Sequence, residues 1–392
     1  MNSLLLENVL HQGRRCNILI EGKRYARIVD AEVKLSAEKV VDAEGLAIIP
    51  ALYNTHNHAA MIPMRGYAED MALGKWLNEY IWPYEAKMTA DDIGDASKLA
   101  VEEMISSGSV FFNDMYFCIE KTIDAVIKSG MRAAIGITVM DNHSLAQTEE
   151  KKRYIEEWKD PTGGRIQLVM APHAIYTVCE DKLKKTAEYA RNKGMKLHIH
   201  VSETRSEVDD CIKAHGMTPV QYLDSIGFLG PDVIAGHCVH VDQKDADILA
   251  ERQVVISHCP CSNMKLGSGR MPSEMLIKAG CKITLGTDGA SSNNNLDLRE
   301  EMKIAGLLAK SQGDPENLPA EELFKWATVN GAEAFGIDGG IIAEGRLADG
   351  ILLDMNNVRM KPCHNIIYNW IYSADSSVIS KVLCDGKIIF NR

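Results

Sequence analysis

The sequence predicts an α/β fold, a (β/α)8 TIM barrel with a small β domain formed from both chain ends. In the middle of the chain, eight apolar segments alternate with amphipathic helical segments, which is typical of parallel strand–helix units. Both ends instead carry short β-branched runs separated by turn residues. The length of 392 residues accommodates a barrel of about 250 to 300 residues and a smaller domain. Eight strands fit a closed barrel better than an open sheet, although periodicity alone is compatible with both.

The two chain ends share a pattern of strands and turns. Residues 16–20 and 26–29 are apolar runs separated by Gly, Lys and Asp, without helical periodicity. Residues 350–353 and 381–390 repeat the pattern, and the Asp385-Gly386 pair between two apolar runs predicts a β-hairpin. We therefore expect residues 1–50 and 345–392 to form one β domain, and residues 51–344 to form the barrel domain.

The middle of the chain supplies the strands and helices of the predicted barrel. A representative helical segment is 181–193, with apolar residues at Leu183, Ala187 and Ala190. The predicted strands are 47–50, 110–112, 133–137, 167–170, 197–201, 233–235, 254–256 and 282–285.

Composition excludes several classes of protein. The formal net charge of −11, without a basic cluster, argues against nucleic-acid binding. The N-terminus lacks the basic start and apolar run of a signal peptide, and no apolar stretch reaches the length of a membrane span. The ten cysteines are scattered and are expected to be reduced thiols. These features predict a soluble cytoplasmic protein without a nucleic-acid or membrane partner; homo-oligomerisation is left open.

Histidines stand at the ends of two predicted strands. His56 and His58 are two residues apart, so both imidazoles can point into one cavity. His200 ends another strand, and Glu203 follows it on the loop where barrels place catalytic groups. His198 shares the face of His200, so spacing alone does not choose between them. We favour His200 as the ligand, because it lies nearer the strand's C-terminal end, and expect His198 to be buried and hydrogen-bonded.

Two further polar residues directly follow apolar strands, namely His237 and Asp288. Four such strand ends converging on one barrel mouth predict a metal site. Three imidazoles and a carboxylate suit one divalent metal, zinc with iron as the alternative, which would activate a water molecule. No Lys ends the fourth strand, at residues 170–173, where a carbamylated lysine would bridge two metals. One metal is therefore expected.

Motifs along nearly the whole chain carry a family resemblance. They are PALYNTHNHAAM at 50–61, RGYAED at 65–70, WL at 76–77, IWPYE at 81–85, APH at 171–173, HVSET at 200–204, GHCVH at 236–240, SHCP at 257–260, SNMKL at 262–266 and LGTDGASSNN at 285–294. The sequence resembles the amidohydrolase superfamily, specifically its branch of S-adenosylhomocysteine and 5'-methylthioadenosine deaminases and their triazine-hydrolase relatives. The resemblance implies a (β/α)8 barrel and a small β-sandwich made from both termini.

The resemblance also implies roles for individual residues. The implied metal ligands are His56, His58, His200 and Asp288. Glu203 would protonate the ring nitrogen beside the attacked carbon and then pass the proton to the departing ammonia. His237 would orient and stabilise the attacking hydroxide, and Asp288 would also act as general base.

The implied substrate contacts are Glu85, to ribose hydroxyls, and His173, in the wall of a nucleoside pocket. Trp82 is either a further substrate contact or part of the core. The chain departs from the expected pattern at residues 140–150, which contain no Arg or Lys before Lys151. A homocysteine carboxylate would need such a cation. Uncharged tails, as in 5'-methylthioadenosine or 5'-deoxyadenosine, are therefore favoured.

Together these observations predict a metal-dependent aminohydrolase that replaces an exocyclic amine of an adenosine derivative with oxygen and releases ammonia. One alternative is a hydrolase of the same fold acting on another amino-, chloro- or cyclic-amide heterocycle. Another is a binding or scaffolding protein that has the fold without the metal. The sequence contains all of these polar residues at the strand ends, which a scaffolding protein would not need.

Overall fold

The computed structural model describes residues 3–142, 145–311 and 313–392. Its strands form two sheets. The strands are β1 Ser3–His11, β2 Arg14–Glu21, β3 Arg24–Asp30, β4 Lys39–Asp42, β5 Leu46–Pro50, β6 Leu52–His58, β7 Ser109–Tyr116, β8 Arg132–Val139, β9 Ile166–Pro172, β10 Leu197–Val201, β11 Val233–His237, β12 Val255–His258, β13 Lys282–Leu285, β14 Asp288–Gly289, β15 Gly350–Asp354, β16 Ile379–Cys384 and β17 Lys387–Asn391.

Helices follow the barrel strands, and further helices cover the barrel mouth and pack near the C-terminal strands. They are α1 Leu73–Lys75, α2 Trp82–Glu85, α3 Ala90–Ser106, α4 Ile119–Ser129, α5 Leu145–Glu157, α6 Glu180–Asn192, α7 Arg205–His215, α8 Pro219–Ser225, α9 Gln243–Glu251, α10 Pro260–Lys265, α11 Ser273–Ala279, α12 Ala290–Asn293, α13 Leu298–Lys310, α14 Ala320–Ala327, α15 Val329–Ala334 and α16 Ile366–Tyr372. Helix α6 confirms the helix predicted at 181–193. Its Leu183, Ala187 and Ala190 face the core, because residues three or four apart share one face of a helix.

The barrel is closed by an interrupted eighth strand. Strands β6 to β13 lie side by side in chain order and all pair in parallel. After β13, the chain passes through Gly286 and Thr287 and resumes as β14, which pairs with β6. The Thr55 hydroxyl of β6 also donates to the Leu285 carbonyl of β13 at 2.9 Å. The predicted barrel is confirmed, and the open sheet is not.

The chain ends build a separate mixed sheet. Its strand order is β17-β16-β15-β5-β1-β2-β3, with β4 paired to β1. The hairpin predicted at Asp385-Gly386 is confirmed, since β16 and β17 pair antiparallel and both turn residues have left-handed backbone angles. The prediction that residues 47–50 form a barrel strand was wrong, whereas the predicted boundary after residue 50 leaves them with the chain ends. They belong to β5, which pairs antiparallel with β15, whereas β6 is the first barrel strand.

Short helical segments cover the barrel mouth. After β6, a 3-10 helix spans Ala59–Met64, and a π-helical turn spans Trp76–Ile81 directly before α2. Trp76 and Ile81 are buried in a small apolar cluster that also contains Met64. Such π-turns are rare and often occur at functional sites. These helical segments form one wall of the cavity above the strand ends.

A buried ion network joins the terminal sheet to the barrel. Asp349, which is fully buried, accepts hydrogen bonds from Tyr53 Oη at 2.7 Å and from Arg132 Nε at 3.1 Å. The Asp385 backbone N–H also donates to Asp349 at 2.6 Å, and the Asp385 side chain pairs with Arg132. Because Tyr53 and Arg132 lie on barrel strands, this carboxylate ties both sheets together.

None of the helices among the described residues is long and apolar enough to cross a membrane. The ten cysteines are unpaired with one another, as expected for reduced thiols.

We expect Asp349→Asn to lower the free energy of unfolding by about 1.5 to 3 kcal/mol, because it removes one of the two carboxylates that pair with buried Arg132 and weakens the hydrogen bonds that Asp349 accepts. Urea denaturation monitored by circular dichroism measures the loss. The matched control is Asp338→Asn, whose carboxylate pairs with Arg24 and Arg346 but is 44% exposed. Its loss should be at most about 1 kcal/mol. Equal losses in the two variants would contradict the importance of the buried network.

Candidate active site

Four barrel strands deliver polar side chains to the same end of the barrel. His56 and His58 lie on β6, His200 on β10 and Asp288 on β14. His237 ends β11. All five are buried or nearly so, and all lie at the carboxyl ends of the strands, where barrels place their reactive groups.

The side-chain atoms of this group converge on one point. His58 Nε2 lies 3.2 Å from His200 Nε2 and 3.2 Å from Asp288 Oδ1. His56 Nε2 lies 3.6 Å from the same Asp288 oxygen. Two sets have ligand atoms mutually within 4.8 Å, namely His56, His58 and Asp288, and His56, His200 and His237. The structure thus brings together every metal ligand expected from the sequence, with His237 at the edge.

Hydrogen bonds to backbone carbonyls fix which ring nitrogens carry protons. His58 Nδ1 lies 2.7 Å from the Met115 carbonyl, and His200 Nδ1 lies 2.7 Å from the His173 carbonyl. A carbonyl can only accept, so both Nδ1 atoms donate. In the neutral rings both Nε2 atoms therefore carry lone pairs, which face each other across 3.2 Å. Two lone pairs this close repel unless a cation or proton lies between them.

His56 is held by a second histidine and by a close glycine. His56 Nδ1 lies 2.7 Å from His198 Nε2, and His198 is fully buried, as expected. His56 Nε2 is buried without a hydrogen-bond partner among the described residues. A Cβ at Gly286 would lie 2.6 Å from His56 Cβ, so only glycine lets the strand pass this close. These contacts aim His56 Nε2 at the common point.

Asp288 places a negative charge at that point and requires a positive one. Burial lowers the pKa of His58, but the hydrogen bond and charge of Asp288 outweigh burial and raise the pKa to about 9. Burial lowers the pKa of His56 to about 4. The pKa of Asp288 itself is lowered well below its usual range, because the two histidines outweigh burial. The donor set and its charge therefore fit a divalent cation.

A second pair of groups, Glu203 and His237, borders this point. His237 Nε2 lies 3.7 Å from Glu203 Oε2 and 4.0 Å from Asp288 Oδ2. His237 Nδ1 donates to Asn263 Oδ1 at 2.8 Å, which leaves Nε2 facing the two carboxylates. Burial raises the pKa of Glu203, which favours its protonated form.

Residues at three strand ends adopt left-handed backbone angles that side chains other than glycine rarely take. The φ angles are 51° at Ser202, 71° at His237 and 60° at Asp288. Each costs of order 1 kcal/mol or more, and such angles cluster at functional sites. The turns they make redirect the chain at the barrel mouth.

The expected substrate contacts line the same cavity. Trp82, Glu85 and His173 face it together with Glu203 and Asp288. Trp82 is half-buried and forms part of the cavity wall. Burial raises the pKa of Glu85, opposed by a hydrogen bond from Tyr116 and by His58. Apart from His56, the site residues named from the sequence thus line one cavity.

Comparison with known proteins identifies the family. Residues 47–389 match the Amidohydrolase family. The chain belongs to this family. It is 43% identical over 381 residues to a 5'-deoxyadenosine deaminase of Methanothermobacter thermautotrophicus, covering 96% of this chain and 89% of the relative. It is also 43% identical over 356 residues to a 5-methylthioadenosine/S-adenosylhomocysteine deaminase of Pelotomaculum thermopropionicum, covering 90% and 82%. The motif-based resemblance is confirmed.

A solved structure extends the likeness to the whole fold of this amidohydrolase. An adenosine deaminase from Xanthomonas campestris with bound zinc superposes with a TM-score of 0.93 at 29% identity, covering 99% of this chain and 92% of the other. The family is metal-dependent, and the cluster described above is this chain's candidate metal site.

Sequence reasoning missed the residues that support this amidohydrolase site from behind. Ser262 donates to Asp288 Oδ2 at 2.6 Å. Glu301, fully buried on α13, accepts from the Cys261 backbone at 3.1 Å and from the Asn293 side chain at 2.5 Å, so it links α10 and α12, the helices that follow β12 and β14. The sequence gives no sign of this, because Glu301 looks like any acidic residue of an amphipathic helix.

We expect His258→Gln to flatten the fall of stability with acid. Burial, with His237 and Arg270 nearby, lowers the pKa of His258 to about 3. Its contribution is therefore complete above the unfolded pKa of about 6.5 and is lost as pH falls towards the folded value. Free energies of unfolding at about pH 7 and about pH 5 should differ less in the variant than in the wild type. An equal fall of the free energy of unfolding between the two pH values in both proteins would contradict the lowered pKa of His258.

Proposed function

We propose that this amidohydrolase deaminates an adenosine derivative to the inosine derivative and releases ammonia. The observation that carries the proposal is the arrangement of His56, His58, His200 and Asp288 around one point, with Glu203 facing the same cavity. The names of the two 43% identical relatives, which are nucleoside deaminases, support the choice of substrate class.

We propose that His56, His58, His200 and Asp288 hold one divalent metal, zinc with iron as the alternative. Support comes from three nitrogen donors and one carboxylate with suitable charge, and from the zinc of the Xanthomonas campestris relative. When bound, such an ion supplies Lewis-acid activation of water. Ser262 and His198 would keep Asp288 and His56 aimed at the ion, as residues behind metal ligands commonly do.

The remaining groups handle protons and orientation. Glu203, whose pKa is raised by burial, would protonate the ring nitrogen beside the attacked carbon. It would then take the proton of the newly added hydroxyl and transfer it to the departing amine, which leaves as ammonia, and the proton accepted by Asp288 would restore Glu203. Asp288 Oδ2, turned away from His56 and His58, would accept the proton of the attacking water. His237 Nε2, which lies between the two carboxylates, would orient that water and stabilise the tetrahedral centre.

The substrate would enter beneath the helical cover. Glu85 would accept hydrogen bonds from ribose hydroxyls, and His173 and Trp82, which line the same cavity, would form the wall beside it. These contacts bind the part of the substrate that does not react. They would hold the purine against Glu203, which raises the rate through orientation.

The surroundings of Glu85 favour an uncharged 5' tail. An adjoining recess is lined by Trp82, Glu85, Phe117, Met140 and others, without a cation among the described residues that line it. Of the segment after β8, residues 143 and 144 lie outside the described residues. Lys151, the first cation after that segment, donates to the Thr138 carbonyl at 2.6 Å. We therefore place 5'-deoxyadenosine and 5'-methylthioadenosine ahead of S-adenosylhomocysteine.

We expect His200→Ala to lose the metal, because it removes one of three nitrogen donors. Elemental analysis after dialysis against metal-free buffer should find about one zinc per wild-type chain and far less per variant chain. His258→Gln is the matched control, since it changes a buried histidine outside the cluster and should keep its zinc. Full zinc occupancy in His200→Ala would overturn the ligand assignment.

We expect zinc-loaded protein to release ammonia from 5'-deoxyadenosine and 5'-methylthioadenosine, with S-adenosylhomocysteine poorer and adenosine for comparison. Guanine and cytosine serve as outgroups. Glu203→Gln should keep the metal but lose about 10²- to 10⁴-fold in kcat, since it cannot transfer the proton. No ammonia from any nucleoside would contradict the proposed function, and near-normal turnover by Glu203→Gln would contradict the mechanism.

A further inference from the structure

We propose that Glu207 is a positioning residue that fixes the backbone carrying Glu203. The Glu207 side chain, 94% buried, accepts the Ser202 N–H through Oε1 at 2.9 Å and the Glu203 N–H through Oε2 at 2.7 Å. Both carboxylate oxygens are thus used on two consecutive backbone donors. The inference rests on the proposed function, in which Glu203 handles the proton.

The position of Glu207 on its helix makes this arrangement unusual. Thr204 precedes α7 and accepts from the Glu207 N–H, so Glu207 is the third residue of the helix. At the same position in α3 and α9, Asp92 and Asp245 bond back to the N–H of the capping residue itself. The Glu207 side chain instead reaches past Thr204 to the two residues before it.

The two hydrogen bonds stabilise a turn that the chain does not prefer. Ser202 has a φ of 51°, in the left-handed region that non-glycine residues avoid. The net contribution of one such hydrogen bond is comparable to the cost of one such angle, so two of them can offset that cost. Without them, the segment between β10 and α7 would relax toward other backbone angles.

The Glu203 side chain depends on this turn for its direction. Its own side-chain contacts are long, 3.5 Å from Ser268 Oγ and 3.7 Å from His237 Nε2. Contacts of this length orient a carboxyl weakly. The shorter hydrogen bond is the one that the Glu203 backbone N–H donates to Glu207, at 2.7 Å. The structure therefore directs Glu203 into the cavity mainly through the backbone that Glu207 holds.

The first test compares Glu207→Gln with Asp245→Asn. Both changes convert a buried carboxylate at the third position of a helix into an amide. Asp245 bonds to Thr218 and Gln221 rather than to the active-site loops. We expect Glu207→Gln to lower kcat about 10- to 100-fold, the cost of a misplaced group. KM should stay within about threefold and zinc content should not change, because ground-state binding does not need Glu203.

Asp245→Asn should lower the melting temperature but leave kcat unchanged. A kcat of Glu207→Gln within about twofold of the wild type, or a loss equal to that of Asp245→Asn at equal destabilisation, would overturn the proposal.

A double-mutant cycle separates positioning from general damage. If Glu207 acts through Glu203, then Glu207→Gln should change kcat less than about twofold when Glu203 is already Gln. An undiminished loss in that background would overturn the proposal.

Amide hydrogen exchange supplies a readout that does not need the proposed reaction. Glu207→Gln should speed exchange at Ser202 and Glu203 about tenfold or more, because a Gln side chain offers one acceptor oxygen where Glu207 offers two. The barrel strand β10 should exchange as in the wild type. If no substrate is turned over, the proposed function fails, and exchange alone decides on Glu207. Unchanged exchange at both amides would overturn the proposal.

Discussion

The seam that closes the barrel is the constraint on which the site depends. The eighth strand is interrupted at Gly286, and its two-residue continuation pairs Asp288 with Asn57 and Gly289 with His58. The same backbone pairing that removes the sheet edge therefore sets a carboxylate beside the two histidines of β6. Because the closing strand must approach His56 so closely, a side chain at Gly286 would disturb the fold and the site together.

The buried polar groups of the site are held in position by hydrogen bonds from neighbouring buried residues. His198, Ser262 and Asn263 each bond to one group at the common point, and Glu301 links α10, which carries Ser262 and Asn263, to α12. Groups held in this way lose little freedom when a ligand or metal binds, which is why supported sites are precise. Left-handed angles at the strand ends show that the fold accepts local strain to keep this geometry.

Much of this could be predicted from sequence, because strand ends in a parallel barrel all meet at one mouth. A two-residue spacing and four polar strand ends were enough to indicate the cluster. Local pattern could not tell that residues 47–50 pair with β15, since an apolar run fits either sheet. Nor could it reveal Glu207 or Glu301, because an acidic residue on a helix is usually solvated, and only tertiary packing buries it.

The two oxygens of Asp288 have different surroundings, and this explains how one carboxylate could serve two purposes in the proposed reaction. Oδ1 faces His56 and His58 and accepts the Gly289 N–H at 2.8 Å. Oδ2 faces the Ser262 hydroxyl at 2.6 Å and His237. Because Oδ2 faces away from His56 and His58, its remaining lone pair could accept a proton. By holding Oδ2 with a single hydroxyl, Ser262 keeps that oxygen on the side where Glu203 and His237 meet the cavity.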